Sequence, residues 1–148
     1  ISENAAIEVE QRIQAAIREG ATIVAGGTRR GAQLLPTLLD RVSPRSELVT
    51  SETFAPCAPV IRIDSVEEAV MLTNDSPFGL QTGIFTNDMK AARYAIRHLK
   101  VGGVMVNFGP QFESPNIPFG GVKKSGLGRE GIRYAIREMM NTKIVVLG

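Results

Sequence analysis

The sequence predicts an α/β fold built on parallel strands, and three observations carry that expectation. Short β-branched and aliphatic runs alternate with stretches of helical periodicity, the pattern of βαβ units. Capping residues stand where those helices would begin, and glycine pairs stand beside the strands. The chain has 148 residues, 43% of them hydrophobic. That length suffices for one core that buries roughly two-thirds of the unfolded surface.

Taken in order, Ile7, Val9, Ile13 and Ile17 fall at near-helical intervals behind Ser2 or Asn4 as a cap, so a helix is expected over 3–19, ended by Gly20. The apolar run 22–25 before Gly26-Gly27 reads as a strand. A second candidate spans 34–39, where Pro36 places it at a sheet edge. APVIRI at 58–63 is short, β-branched and bounded by turn residues, which predicts a buried strand. Ser65 with Glu68 three residues later forms a capping box, and Val66, Ala69, Val70 and Leu72 continue at helical spacing. A turn at 74–79 leads to a buried strand over 82–85. Asn87 or Asp88 then caps a helix reaching about Leu99, and Gly102-Gly103 opens a strand over 104–107. Residues 108–128 form a long loop without a clear period, of a length that is usually functional or disordered. Its aromatics Phe108, Phe112 and Phe119 argue for order. A helix over 129–140 and an apolar strand over 142–147 complete the chain; the strand lacks a local partner, so pairing with other polypeptide or another subunit is expected.

Charge and cysteine content narrow the classes of function. Lys and Arg number 17 against 15 Asp and Glu, a net charge of +2 that suggests neither a nucleic acid nor an anionic membrane as partner. Cys57 is the single cysteine, which excludes an internal disulfide and points to a reducing, cytoplasmic setting. No apolar run approaches the roughly 20 residues of a membrane span. The chain opens at Ile1 without Met in a stretch that already reads as helix, which leads us to expect a segment of something longer.

Three segments carry the functional information: SETFAP at 51–56, NDSPFGL at 74–80 and PFGGVKKSGLGREG at 118–131. The third packs five glycines among three cations and one carboxylate, a density that lets backbone N–H groups approach a ligand or a neighbouring strand. Taken alone it also reads as a long turn feeding a helix. Its GLGREG has the form G-x-G-x-x-G, but no strand leads directly into it and no βαβ unit follows; the P-loop order is absent too.

Read together in this order and spacing, the segments resemble the C-terminal part of the NAD(P)-dependent aldehyde dehydrogenases. GGVMVN, ending at Asn107, extends the likeness over essentially the whole chain. The resemblance implies a parallel-sheet catalytic domain of aldehyde dehydrogenase type over 1–140. It also implies that 141–148 is a strand of the oligomerisation sheet of a dimer or tetramer. The implied enzyme oxidises an aldehyde to a carboxylic acid, or in some branches to an acyl thioester, with NAD or NADP. In the family, a cysteine thiolate adds to the aldehyde as a thiohemiacetal, hydride passes to the nicotinamide, and a glutamate-activated water hydrolyses the resulting thioester. The nucleophile sits in a G-Q-x-C context and the base in an E-L-G-G context, both upstream of where Ile1 aligns. No catalytic residue is therefore assigned within the chain, and the segment alone is expected to be inactive.

Glu52 matches the family acid that accepts hydrogen bonds from the nicotinamide ribose hydroxyls, and Phe54 the aromatic that packs near the nicotinamide. Without the resemblance they read as a surface acid beside a core Phe. Two departures from the family's E-E-x-F-G-P stand out: Ser51 replaces the first acid, and Ala55 replaces a glycine where the chain turns tightly. Phe108, Phe112 and Phe119 match the wall of the aldehyde tunnel, in a loop whose Gln111, Glu113 and Asn116 add polar character without an arginine. The semialdehyde, lactaldehyde-like and phosphonoacetaldehyde-like branches all stay open, as does the choice between NAD and NADP. Cys57 has no visible base or helix N-terminus beside it and reads as a small buried hydrophobe. His98 reads as solvated, and no Cys/His cluster has metal-ligand spacing. Two rival readings remain: a non-catalytic interaction module assembling through 142–147, and a nucleotide-binding module using 120–131.

Overall fold

A computed structural model describes residues 2–148, so Ile1, where the predicted domain begins, lies outside the described residues. The chain divides into two compact units, one ending at Ser65 and one spanning Val66–Gly148.

In the first unit, helix α1 (Glu3–Arg18) starts at Ser2, whose hydroxyl accepts a hydrogen bond from the Ala5 N–H at 3.2 Å. Its buried stripe of Val9, Ile13 and Ala16 packs with Ala21, Leu39, Val42 and Leu48 to form the core. Strand β1 (Thr22–Ala25) is followed by a two-residue hairpin, β2 (Arg29–Arg30) and β3 (Gln33–Leu34). Strand β4 (Thr37–Asp40), the short helix α2 (Glu47–Thr50) and strand β5 (Cys57–Pro59) complete the unit. The sheet order is β1-β4-β5, with β1 antiparallel and β5 parallel to β4.

Two expectations change here. The strand predicted over 34–39 is broken at Pro36, which cannot donate to a ladder. The chain resumes as β4, the central strand rather than an edge, with Thr37 N–H donating to the Pro56 carbonyl at 2.8 Å. Gly26 makes the close passage possible: at φ 72° it lies so near Pro36 that a Cβ would sit 2.1 Å from that carbonyl oxygen. The strand predicted over 58–63 shortens to β5, and Val60 and Ile63 are exposed. Its partner ends at Asp40 because Arg41 turns left-handed at φ 57°. Contact continues as single bonds, Val60 N–H to Leu39 and Val42 N–H to Val60.

In the second unit, helix α3 (Val66–Asp75), strand β6 (Gln81–Ile84), helix α4 (Met89–His98) and strand β7 (Gly103–Val106) form a βαβ unit with a leading helix. Strands β6 and β7 are parallel and in register from Gln81↔Gly103 to Ile84↔Val106. Each lies one residue earlier than predicted, which leaves Phe85 outside the ladder and exposed. Asp88 caps α4, accepting from Lys90 N–H at 2.7 Å, and buries the small faces of Ala92 and Ala95 behind it. Asn74 ties the helix ends together: its amide donates to the His98 carbonyl and its oxygen accepts from Lys100 N–H.

The turn at 74–79 is fastened to the segment at 122–125. Lys123, in a left-handed conformation at φ 58°, donates from Nζ to the carbonyls of Asn74 and Ser76 at 2.9 Å and of Phe78 at 3.3 Å. Ser125 Oγ accepts from Gly79 N–H at 2.8 Å, and Val122 N–H donates to the Gly79 carbonyl at 3.0 Å. Gly102 passes so close to Gly120 that a Cβ would lie 1.7 Å from its carbonyl oxygen. Helix α5 (Ile132–Glu138) starts later than predicted because Glu130 pairs with Phe119 in an antiparallel bridge. The strand expected over 142–147 was to pair with other polypeptide or another subunit, and within this chain alone it is not formed. Residues 141–148 are irregular, with Ile144, Val145, Val146 and Leu147 exposed, since a strand needs a neighbour for its backbone groups and none is present among the described residues.

Two outcomes follow. Lys123→Met, which leaves three carbonyls without their cation, should lower stability by about 1–2 kcal/mol, read as a shift in the urea midpoint. The Arg62 guanidinium, bonded to both oxygens of Asp40 at 2.9 and 2.7 Å, holds that carboxyl below its usual range against the opposing effect of burial. A depressed carboxyl pKa stabilises the fold fully above the unfolded value of about 4 and loses that contribution as the pH falls through the folded value. Arg62→Gln should therefore weaken acid dependence below about pH 4 in melts run across that range.

Candidate functional site

The predicted site residues fall into two groups, one in each unit. In the first, α1 sends Arg12 across to the segment that follows α2. The Arg12 Nε pairs with Glu47 at 2.9 Å, and Nη1 donates to the Glu52 backbone carbonyl at 3.1 Å. The main chain at Glu52 is thereby held while its carboxylate stays exposed, with no partner among the described residues. Phe54 is 82% exposed at φ 35°, a conformation that an aromatic residue adopts only under local constraint. Cys57 N–H closes the turn by donating to the Ala55 carbonyl at 2.7 Å. Phe54 is therefore not a core residue. The strained position is Phe54 rather than Ala55, whose Cβ packs against the core without obstruction. Arg12, Val9, Leu34, Glu52 and Phe54 border a hollow of about 450 Å³.

In the second unit, the floor of an open groove of about 450 Å³ is made by Gln81 on β6 and by Gly103 and Met105 on β7. Phe108, Phe112 and Ile117 supply its walls. The two phenyl rings meet edge to face, with centroids 5.2 Å apart and planes at 82°. The loop that carries them starts at Asn107, a left-handed residue at φ 56°. Its side chain accepts from Thr86 N–H at 2.8 Å and donates to the Thr86 carbonyl at 3.0 Å. Phe119 is half-buried and lies outside this lining, its backbone engaged with Glu130 at 3.1 and 2.6 Å.

The remaining candidates are accounted for by packing. Cys57 is half-buried against the first core, and burial pushes its thiol up, away from the thiolate a nucleophile needs. His98 is exposed, stacked on Tyr94 with centroids 4.2 Å apart. Two of the three cations of the glycine-rich segment meet main-chain carbonyls, Lys123 as above and Arg129 on Gly121 and Gly128 at 2.9 and 2.6 Å. No group of residues that could hold a metal occurs among those described, and no described helix is long and apolar enough to cross a membrane. Arg12 and Gln81 were not visible as site residues in the sequence. The one signal for Gln81 was a polar residue at the head of an apolar run.

The residue pattern of the aldehyde dehydrogenase family matches residues 1–145. The chain is 42% identical over 147 residues to a sulfoacetaldehyde dehydrogenase from Neptuniibacter caesariensis, covering 99% of this chain and 32% of that protein. Identity is also 42% over 147 residues to a lactaldehyde dehydrogenase from Methanococcus maripaludis, covering 99% of this chain and 31% of that one. Among solved structures, aldehyde dehydrogenase 21 from Physcomitrella patens, in complex with the reaction product succinate, superposes with a TM-score of 0.93 at 38% identity, over 99% of this chain and 30% of that one. A glyceraldehyde-3-phosphate dehydrogenase from Methanocaldococcus jannaschii, complexed with NADP, gives a TM-score of 0.89 at 44% identity, over 95% of this chain and 30% of that one. The chain thus spans about a third of the length of the curated relatives it matches. On the match that runs through nearly all of its residues, the chain belongs to the aldehyde dehydrogenase family.

Proposed function

We propose that this chain supplies part of the catalytic domain of an NAD(P)-dependent oxidoreductase that converts an aldehyde to a carboxylic acid. The observation that carries the reading is the pair Glu52 and Phe54, an unpaired carboxylate and an exposed, conformationally constrained aromatic two residues apart. Such a pair has no evident use in packing. It fits the ribose and nicotinamide end of a dinucleotide: Glu52 would accept from vicinal hydroxyls, and Phe54 would present a ring face to the flat heterocycle. When bound, NAD or NADP supplies the hydride acceptor. Arg12 keeps the acid at a fixed height by holding its carbonyl.

Phe108 and Phe112 would border the aldehyde, and Phe119, outside the groove's lining, would join them from further along the same loop. An apolar groove with few polar groups orients a small carbonyl compound. The named activities of the relatives on sulfoacetaldehyde and lactaldehyde support a short, polar aldehyde as substrate. The chain's single thiol, Cys57, is raised in pKa and half-buried, so the nucleophile is supplied by residues other than these. We further propose a cytoplasmic, reducing setting, and self-association as a dimer or tetramer through residues 141–148, whose apolar side chains are exposed. That exposed run also favours the alternative reading, a non-catalytic interaction module of the same fold.

Two measurements test the proposal. The 148 residues alone should reduce neither NAD nor NADP with any aldehyde of a panel; turnover by the purified segment would refute the division of roles. In the full-length natural product, Glu52→Gln should raise the KM for the dinucleotide about tenfold, the equivalent of one lost charge-assisted hydrogen bond. The KM for aldehyde should stay as it was, and an unchanged cofactor KM would remove Glu52 from the binding site.

A further inference from the structure

We infer that Gln81 is a positioning residue that sets aldehyde specificity by clamping the aromatic loop onto the floor of the groove. The inference rests on the reading of Phe108 and Phe112 as the substrate wall. Its basis is the face that β6 presents. Residues two apart on a strand share a face, and Gln81 and Gly83 act on the same loop in complementary ways. The Gln81 amide donates to the carbonyl of Pro110 at 2.8 Å and to that of Phe112 at 3.3 Å, which uses both of its hydrogens. Gly83 gives the loop room to lie down: a Cβ there would be 2.8 Å from the Phe108 carbonyl oxygen and 3.2 Å from Pro110 Cδ.

The clamp itself is also accommodated. Gly103, the ladder partner of Gln81, carries no side chain, and a Cβ there would approach the Gln81 side-chain oxygen at 3.0 Å. One strand thus provides two donors and one gap, and its neighbour provides the space for the donor. The bonded carbonyls bracket Gln111 and lie 29 and 31 residues from Gln81 in sequence. Within the Phe108–Phe112 stretch, the bond from Phe112 N–H to the Gly109 carbonyl is longer at 3.4 Å. The position of the Phe108–Phe112 pair, and with it the width of the groove, is therefore set from β6.

The test uses the full-length natural product and three substitutions. Gln81→Glu keeps the shape but turns acceptors toward two carbonyls, Gln81→Met keeps the length and removes the donors, and Gly83→Ala pushes the loop away with the clamp retained. Each is read as the ratio of kcat/KM for benzaldehyde to that for glycolaldehyde, together with the KM for the dinucleotide and the Tm. The expected result is a change of about tenfold in the ratio for the two Gln81 variants, in the same direction for Gly83→Ala, with the cofactor KM unchanged. A lowered Tm with an unchanged ratio would reduce Gln81 to a structural role and overturn the inference. Phe112→Ala separates the two layers of argument. If it leaves the ratio where it was, the substrate-wall reading fails; if it moves the ratio and the Gln81 variants do not, only the clamp fails.

Discussion

The ammonium of Lys123 against three main-chain carbonyls is the interaction on which the second unit depends. Helix α3 ends at Asp75, and the carbonyls of Asn74 in its last turn and of Ser76 and Phe78 in the following loop converge on one place. A cation there satisfies several acceptors at once, and the left-handed backbone of Lys123 is the local cost of bringing it to them. With that turn fixed, Gly79 is held by Val122 and Ser125, β6 leaves in a set direction, and β7 pairs with it in register. The groove then has a floor, and Asn107 has a fixed strand end from which to launch the loop.

The glycine-rich segment acquires a meaning from this arrangement that differs from its appearance. A density of glycines and cations suggests an anion cradle, yet Gly120 and Gly131 serve contact between main chains. Gly102 against Gly120 and Gly131 against the Ile117 carbonyl are approaches that a Cβ would prevent. Lys123 and Arg129 likewise meet backbone carbonyls, so their charge is engaged by the fold. The first unit solves the same problem of joining distant segments in a different way. It uses a core around Ile13 and Leu39 and the Arg12 bridge from α1 to the segment that carries Glu52.

The two candidate surfaces share a logic. Each presents a few side chains that packing leaves free, and each is held by a polar side chain bonded to main-chain carbonyls many residues away. Arg12 does this for Glu52, and Gln81 does it for the loop of Phe108 and Phe112. Backbone carbonyls are sound anchors because they depend on the path of the chain rather than on the identity of the residue. The displayed side chains can then vary while the scaffold beneath them stays constant, as expected where a loop carries specificity.

By itself the sequence determined what local physics controls. Helix α1 behind Ser2, helix α4 behind Asp88 and the parallel pair β6–β7 were readable to within a residue or two, because periodicity and caps act over a few positions. Glu52, Phe54 and Phe119 were named from motifs of the family the sequence resembles, and Phe108 and Phe112 from the variable loop ahead of the last motif, since the spacing of a motif survives without coordinates. Tertiary structure alone decided that β4 is central despite Pro36, that Phe54 faces outward at a left-handed φ, and that residues 142–147 remain unpaired among the described residues. It also decided the roles of Arg12 and Gln81, whose partners lie 40 residues away for the first and 29 and 31 for the second. Pairing partners and hydrogen-bond acceptors at such separations are set by how the chain returns on itself, which no local pattern encodes.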